Sequence, residues 1–351
     1  MDLSVIRSRI DRDLAEFASN QSRDLAAIGS ELTPVADAMQ RFILDGGKRF
    51  RPIFAYLGYL GAGGPESTEI ITACSSLELV HVCALMHDDV MDGSDTRRNS
   101  PAIHRAFQKL HQENKYQGDA EKFGTAAAIL LGDLALIWAD RLLIESGISS
   151  SQLIACLPLF TEMREELMAG QYLDVLEGAL ATASIERSLK IARYKSGKYS
   201  IERPLHFGAS LAGAPIRTMA LYSEYGLPLG EAFQLRDDLL GVFGDPQVTG
   251  KPAGDDLREG KRTVLIAMAL ENSSEKQNKE LSNSLGRADL TLDQINALRA
   301  IITESGAVDR CEALIAQLRD QALLALHNPE ISSTIRPMLE EMAHTATARK
   351  L

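Results

Sequence analysis

Apolar residues recur at helical spacing along most of the chain. Ile6, Ile10, Leu14 and Phe17 fall at intervals of three and four, the repeat that gathers side chains on one helix face. Similar patterns run over 36–44, 53–62, 69–92, 124–146, 151–178, 185–196, 202–241 and 262–271. Strand-like alternation is scarce, aromatics are only 5% of residues, and Ala and Leu are abundant, so propensity supports periodicity. The pattern predicts an all-α protein. Helical periodicity continues beyond about Ser273 without recognisable chemistry. Two polar stretches interrupt it. Lys109 to Lys122 reads as a surface loop, whereas Gly244 to Arg262 holds Pro246, Gly250, Pro252, Gly254 and Gly260, which exclude a continuous helix. Because the second stretch also carries Lys251, Asp255, Asp256, Lys261 and Arg262, it is expected to be a mobile lid.

No segment of the 351 residues looks like a linker, so one domain over 1–351 is expected. The formal charge of −11, from 37 basic and 48 acidic residues, argues against a nucleic-acid partner. Cys74, Cys83, Cys156 and Cys311 lack metal-ligand spacing and mostly lie in apolar helical runs, which suits a reducing cytoplasm. Residues 1–17 include Asp2, Asp11, Asp13 and Glu16 and have no apolar core, so they do not read as a signal peptide. No apolar run is expected to reach membrane-spanning length.

The chemistry begins with two acidic stretches about 150 positions apart, His87-Asp88-Asp89-Val90-Met91-Asp92 and Gln234-Leu235-Arg236-Asp237-Asp238, each in an apolar helical run. On a helix Asp88 and Asp92 share a face, while Asp89 lies about 100° round. Like charges so close repel unless a cation intervenes. Mg²⁺ suits the place because it takes oxygen ligands, keeps waters and favours sites shared with substrate phosphates. A solvated acidic face is the alternative. The almost wholly apolar approach through Leu77, Leu79, Val80, Val82, Leu85 and Met86 argues instead for a buried helix that ends at a cleft. The pair of motifs therefore points to a diphosphate held through metal ions.

Basic groups complete the pattern. In Gly46-Gly47-Lys48-Arg49-Phe50-Arg51-Pro52, two glycines allow a sharp turn and a close approach to an anion, and Lys48 and Arg51 bring phosphate-binding charge. Alone, this motif reads equally as a turn between helices. Thr96-Arg97-Arg98 follows Asp92 by four to six residues, in the position of a second anion contact or of a surface ion-pair network.

Taken together these elements resemble the trans-prenyltransferases, the all-helical isoprenyl diphosphate synthases, and most closely the bacterial geranylgeranyl diphosphate synthases. The resemblance spans roughly Phe42 to Thr263. It rests on the motif at 46–52, Glu78-Leu79-Val80-His81, Asp88 to Asp92 with Arg97 and Arg98, Gly170-Gln171-x-x-Asp174, Lys195-Ser196, Phe233-Gln234 with Asp237-Asp238, Gly250-Lys251, and Lys261-Arg262-Thr263. It implies a single-domain bundle of roughly a dozen helices around a central active-site cavity.

The resemblance also implies roles. Gly47, Lys48, Arg51, His81 and Arg98 match the pocket for isopentenyl diphosphate. Asp88 and Asp92 match the ligands of two Mg²⁺ ions and Asp237 that of a third, so three ions are expected with an allylic diphosphate bound. Arg97, Lys195, Gln234 and Lys251 match groups holding that allylic diphosphate, with Lys261 nearby and Ser196 in place of the usual Thr. Without the resemblance, His81 reads as a core histidine. The expected catalytic set is Asp88, Asp92, Arg97, Lys195, Asp237 and Lys251. The expected reaction is head-to-tail (1′–4) condensation of isopentenyl diphosphate with dimethylallyl, geranyl or farnesyl diphosphate, in a homodimer. Small residues at Cys83 and Ala84, with Val80 one turn back, imply an all-trans product past fifteen carbons; geranylgeranyl diphosphate is the first choice and longer chains the second. Ile137 and Trp138 are candidates for the floor of that channel.

One departure stands out. The family's second acidic motif usually ends in a third Asp, but here the position is Gly241, with Asp245 one turn on as a partial substitute. Two rival readings are a class I terpene cyclase and a non-catalytic partner subunit. The first needs no second diphosphate pocket, and the second tends to lose motifs that this chain keeps.

Overall fold

A computed structural model describes residues 2–45, 47–180, 182–246 and 252–348. The chain divides into two compact units, Met1–Pro158 with Pro204–Ala214, and Leu159–Arg203 with Pro215–Leu351. The all-α expectation holds: among the described residues the only strands are the two-residue β1 (Thr96–Arg97) and β2 (Ser100–Pro101).

In the first unit, α1 (Leu3–Ile28) starts where Asp2 accepts the Val5 amide, and it buries Ile6, Ile10, Leu14 and Phe17, the stripe read from the sequence. It packs against α2 (Thr33–Leu44), and α3 (Phe50–Gly61) follows. The central element is α4 (Thr68–Asp92), capped by Ser67 and stopped by Gly93 in the left-handed conformation. By length and composition α4 is apolar enough to cross a membrane, which corrects the expectation that no run reaches that length; 72% of its most apolar 18-residue window is buried inside the protein, as in the core helix of a globular unit. It packs mainly against α6 (Ala120–Ile144).

Lys109 to Lys122 is not one loop. Helix α5 (Ile103–Glu113) runs into it and α6 begins at Ala120, because Ile103, Phe107 and His111 form a buried stripe too narrow to stand out in a polar sequence. Helix α7 (Ser150–Leu180) contributes to both units.

The second unit continues with α8 (Ile185–Ile191) and an 11-residue π-helix, Ala192–Glu202. The single helical run read over 202–241 is two helices, α9 (Arg203–Leu211), in the first unit from Pro204 onward, and α10 (Ile216–Phe243) in the second, because Gly213 and Pro215 break it. After α11 (Asp255–Glu259), α12 (Val264–Asn272), α13 (Glu275–Ser284), α14 (Leu292–Glu304), α15 (Ala307–Ala325) and α16 (Arg336–Thr347) bear out the C-terminal periodicity. Leu235, Leu239 and Val242 of α10 share a core with Leu257, Leu265, Ile295, Leu298, Cys311 and Ile315.

Candidate active site

In the first unit, the turn before α3 is set by Gly47 together with Arg49 and Glu78, neither of which the motifs alone give a role. Gly47 has φ 146°, a left-handed conformation open to glycine. Arg49 ties the turn to three helices, donating to the Asp11 carboxylate at 2.8 Å, to Glu78 Oε1 at 2.8 Å and to the Ile43 carbonyl at 2.8 Å. Both members of the Arg49–Glu78 pair are buried. Removing either leaves an uncompensated charge, at a cost of about 3–5 kcal/mol. With Arg49 committed, Lys48 stays exposed, while Arg51 is buried in the first turn of α3.

β1 and β2 pair as a hairpin, Thr96 opposite Pro101 and Arg97 opposite Ser100, so Arg98-Asn99 forms the two-residue turn. Both turn residues have positive φ, 52° and 62°, a geometry usually given to Asn-Gly. Its consequence is that adjacent arginines diverge. Arg97 turns to the first acidic motif, donating from Nε to Asp89 Oδ1 at 2.8 Å with Nη2 3.8 Å from Asp88 Oδ2. Arg98 turns to the Gly47 side, with Nη1 3.3 Å from the Phe42 carbonyl and its guanidinium 5.7 Å from the Phe42 ring centroid. A Cβ on Gly47 would lie 3.4 Å from Arg98 Nη2. Burial, then the neighbouring Arg51, Arg98, Arg97 and Arg49, hold the His81 imidazole well below its usual range, so at neutral pH it stays uncharged among cations.

Asp89 is fully buried and bound by Arg97, whereas Asp88 and Asp92 are partly exposed, in line with the predicted faces of α4. His87 orients the start of the motif, its Nε2 lying 3.0 Å from the Ile129 carbonyl of α6; its regular placement on an apolar helix gave no sign of this. Cys83, one turn before His87, touches that ring, with Sγ 3.7 Å from Nδ1. Its thiol is pushed up to about 12 by burial and by Asp133. Ala84 is one turn before Asp88 and shares its face; Val80 is fully buried. The two floor candidates differ: Trp138 is buried edge-on to Phe17 at 6.0 Å, whereas Ile137 is 61% exposed and does not form the floor of a channel within its own chain.

In the second unit, Lys195 and Ser196 lie in the π-helix, a conformation that recurs at functional sites. Gly170 of α7 permits this, since a Cβ there would collide with the Lys195 backbone. Lys195 Nζ donates to Asp174 Oδ2 at 2.6 Å, which gives the Gly170-x-x-x-Asp174 spacing its reason. On α10, Gln234 Nε2 donates to Asp238 Oδ1 at 2.7 Å. Burial raises the Asp238 carboxyl well above its usual range against that hydrogen bond, and Asp256, Asp237 and Asp174 push it further.

The lid reading fails over residues 252–262, which form an anchored element. Asp255, Asp256 and Leu257 of α11 are buried, the Leu257 carbonyl accepts from Gly286 N at 3.0 Å, and Arg258 donates to the Ala253 carbonyl at 2.7 Å and to Leu290 at 3.2 Å. Lys261 Nζ is 2.7 Å from Glu259 Oε2 and 3.9 Å from Asp256 Oδ1. Gly250 and Lys251 lie outside the described residues. Asp245 is exposed beyond the end of α10, so it does not replace a third aspartate; Asp256 lies against Gly241 instead. The C-terminal helices also support this motif. Arg236 grips Glu312 through two bonds of 2.6 and 2.5 Å, and Arg299 donates to the Val242 carbonyl at 2.7 Å.

These carboxylates fit Mg²⁺. Mutual repulsion within the Asp174, Asp237, Asp238 and Asp256 set is what a divalent cation relieves. Among the described residues no three His, Cys, Asp or Glu side chains are arranged as a ready-made metal cage.

Comparison with known proteins gives a consistent picture. The profile of the family described as Polyprenyl synthetase matches residues 33–302. A geranylgeranyl pyrophosphate synthase from Corynebacterium glutamicum, crystallised with isoprenyl diphosphate and magnesium, is 39% identical over the whole of both chains, with a TM-score of 0.96. A polyprenyl synthase from Caulobacter crescentus, crystallised with calcium and isoprenyl diphosphate, is 28% identical over 98% of both chains, with a TM-score of 0.76. The geranylfarnesyl diphosphate synthase of Aeropyrum pernix is 32% identical over 288 residues, 80% of this chain and 84% of that one. With the profile spanning most of the chain, the chain belongs to the polyprenyl synthetase family and is a trans-prenyltransferase.

Proposed function

We propose that this enzyme condenses isopentenyl diphosphate with an allylic diphosphate to give all-trans geranylgeranyl diphosphate. The observation that carries the reading is the divergence of Arg97 and Arg98 at the hairpin turn, one toward Asp88 and Asp89 and the other toward the Gly47 turn. Two separate anion-handling groups suit two diphosphates, whereas a terpene cyclase requires one. The isopentenyl group is Gly47, Lys48, Arg51, His81 and Arg98. The allylic diphosphate falls to Arg97, Lys195, Ser196, Gln234, Lys251 and Lys261.

Asp88, Asp92 and Asp237 would hold three Mg²⁺ ions, which supply charge neutralisation for the departing diphosphate. As the allylic carbon–oxygen bond breaks, Arg97 and Lys195 meet the negative charge that develops, the moment at which fixed cations act most strongly. Lys48, Arg51 and Arg98 hold the terminal double bond of isopentenyl diphosphate where it attacks the allylic cation, removing much of the entropic barrier. Loss of a proton to the released diphosphate completes the new bond. The neutral His81 positions its substrate by hydrogen bonding.

Product length rests on Ala84, which shares the Asp88 face of α4 and leaves the wall there narrow in side-chain bulk. Longer polyprenyl products are the second reading, favoured by the small side chain of Cys83. Ala84→Phe should shorten the product toward farnesyl diphosphate, with Cys83→Phe less effective because Cys83 faces His87. Chromatography of dephosphorylated products after incubation with Mg²⁺, isopentenyl diphosphate and each primer tests both activity and length. No condensation with any primer would refute the reading.

The enzyme is proposed to be a homodimer whose two units per chain serve one catalytic function over 1–351. Phe123, Leu130, Ile137 and Ile144 repeat every seventh residue of α6 and are 37%, 65%, 61% and 62% exposed in the single chain, an apolar stripe suited to a second copy. Sedimentation of an active monomer at micromolar concentration would contradict this. Four free, buried cysteines fit a reducing cytoplasm.

A further inference from the structure

The C-terminal helices offered no chemistry in the sequence, yet one of them grips the residue next to Asp237. Arg236 is buried in α10, and its planar fork meets the half-buried Glu312 carboxylate of α15 through two hydrogen bonds of 2.6 and 2.5 Å. On α10, Gln234 and Asp238 share one face, whereas position 236 lies about 160° from both, so Arg236 holds the helix from behind. Cys311, beside Glu312, shares a core with Leu235 and Leu239. Burial first, then the charges of Asp238 and Glu312, push its thiol up to about 12, against Arg236, so this turn of α15 backs the motif directly. Further along, Arg299 of α14 donates at 2.7 Å to Val242, one of the last carbonyls of α10, which find no partner within the helix.

We propose that Glu312 is a positioning residue for the reaction: acting through Arg236, it fixes the rotation of α10 about its own axis, and with it the direction in which Gln234 and Asp237 meet the allylic diphosphate. The assignment rests on the reading of the site given above. Two arguments favour it over a stabilising role. First, a guanidinium and a carboxylate joined by two parallel bonds fix angle as well as distance, whereas the apolar contacts of Leu235 and Leu239 are non-directional and leave rotation free. Second, the pair adds little net stability, because desolvation of the buried guanidinium offsets most of the attraction and apolar residues of similar size pack as well or better. The magnitudes make rotation matter. A side chain ends about 6 Å from the helix axis, so turning α10 by about 10° moves a carboxylate by about 1 Å, and a misplacement of that size costs on the order of a hundredfold in rate.

The test separates stability from turnover in the full-length enzyme, by melting temperature and by kcat and KM for each substrate. Glu312→Leu alone leaves the Arg236 charge buried and should lower the melting temperature. Adding Arg236→Met replaces the pair by apolar packing, so the double variant should melt close to wild type. Its kcat should nevertheless fall roughly ten- to a hundredfold, while KM for isopentenyl diphosphate stays within about twofold. A double variant that both melts and turns over like wild type would overturn the proposal, since the pair would then be structural alone. Glu312→Asp decides the matter if the double variant does not fold: it keeps the charge, shortens the reach by one methylene, and should lower kcat roughly tenfold at an unchanged KM for isopentenyl diphosphate. Wild-type kcat in Glu312→Asp would overturn the proposal, and so would a KM for isopentenyl diphosphate that rises as far as kcat falls. Wild-type kcat in a folded Asp237→Ala would instead overturn the reading of the site on which the proposal rests.

Discussion

Around His81 in the first unit, burial first and then four arginines keep one imidazole neutral. Around Asp238 in the second, burial first and then three further carboxylates drive the affinity of one carboxyl for protons up. The same physical factors, desolvation and like charge, operate with opposite sign. The first group holds positive charge ready for an anion, although Asp88 and Asp89 beside it are already engaged by Arg97. The second gathers negative charge, with Lys195 bound to Asp174 at 2.6 Å and Lys261 3.9 Å from Asp256. One lesson is that the two groups differ in what must arrive first: a diphosphate suffices for the His81 group, whereas the Asp238 group needs metal.

The largest expected effect comes from removing metal ligands. Asp88→Ala and Asp237→Ala should each lower kcat on the order of a thousandfold while helicity by circular dichroism is unchanged, because the role proposed for both is to hold metal and not to build the core. More than a tenth of wild-type turnover in a folded variant would break the assignment. Next, Arg51→Ala should raise KM for isopentenyl diphosphate by roughly 10–100-fold and KM for the allylic primer far less. Equal effects on both substrates would merge the two groups into one.

A smaller effect lies in acid stability without ligands. The unfolded His81 takes up a proton below about pH 6.5 and the native imidazole resists it, so the unfolded state binds more protons as pH falls. Stability should therefore be complete above that pH and be lost below it, by about 1.4 kcal/mol per pH unit until the depressed native value is reached. In His81→Gln that portion of the slope should vanish in denaturant titrations at pH 5 and 7. The smallest effect concerns the hairpin. Arg98→Asn relaxes a positive φ of 52° and should stabilise the metal-free protein by up to about 1 kcal/mol, while weakening isopentenyl diphosphate binding. No gain in denaturant midpoint would show that Arg98 is unstrained there.

What could be read ahead of the structure divides along the same line. The stripes of α1 and α4 and the faces of Asp88 and Asp92 depend on local periodicity, which a sequence displays directly. The hairpin was hidden because Arg98-Asn99 has no turn signature, and α5 because its apolar stripe is short. The π-helix around Lys195 depends on a glycine 25 positions earlier, and the Gly241–Asp256 contact joins residues from different helices. Such pairings are tertiary.

The most direct test of the contrast measures melting temperature with each ligand in turn, in EDTA and in excess Mg²⁺. The account predicts that isopentenyl diphosphate stabilises the enzyme equally in both, and that Arg51→Ala abolishes this. An unreactive allylic diphosphate analogue should gain most of its stabilisation only with Mg²⁺, and Asp237→Ala should remove that gain. If isopentenyl diphosphate also required Mg²⁺, or the allylic analogue bound as tightly in EDTA, the two groups would not differ as described.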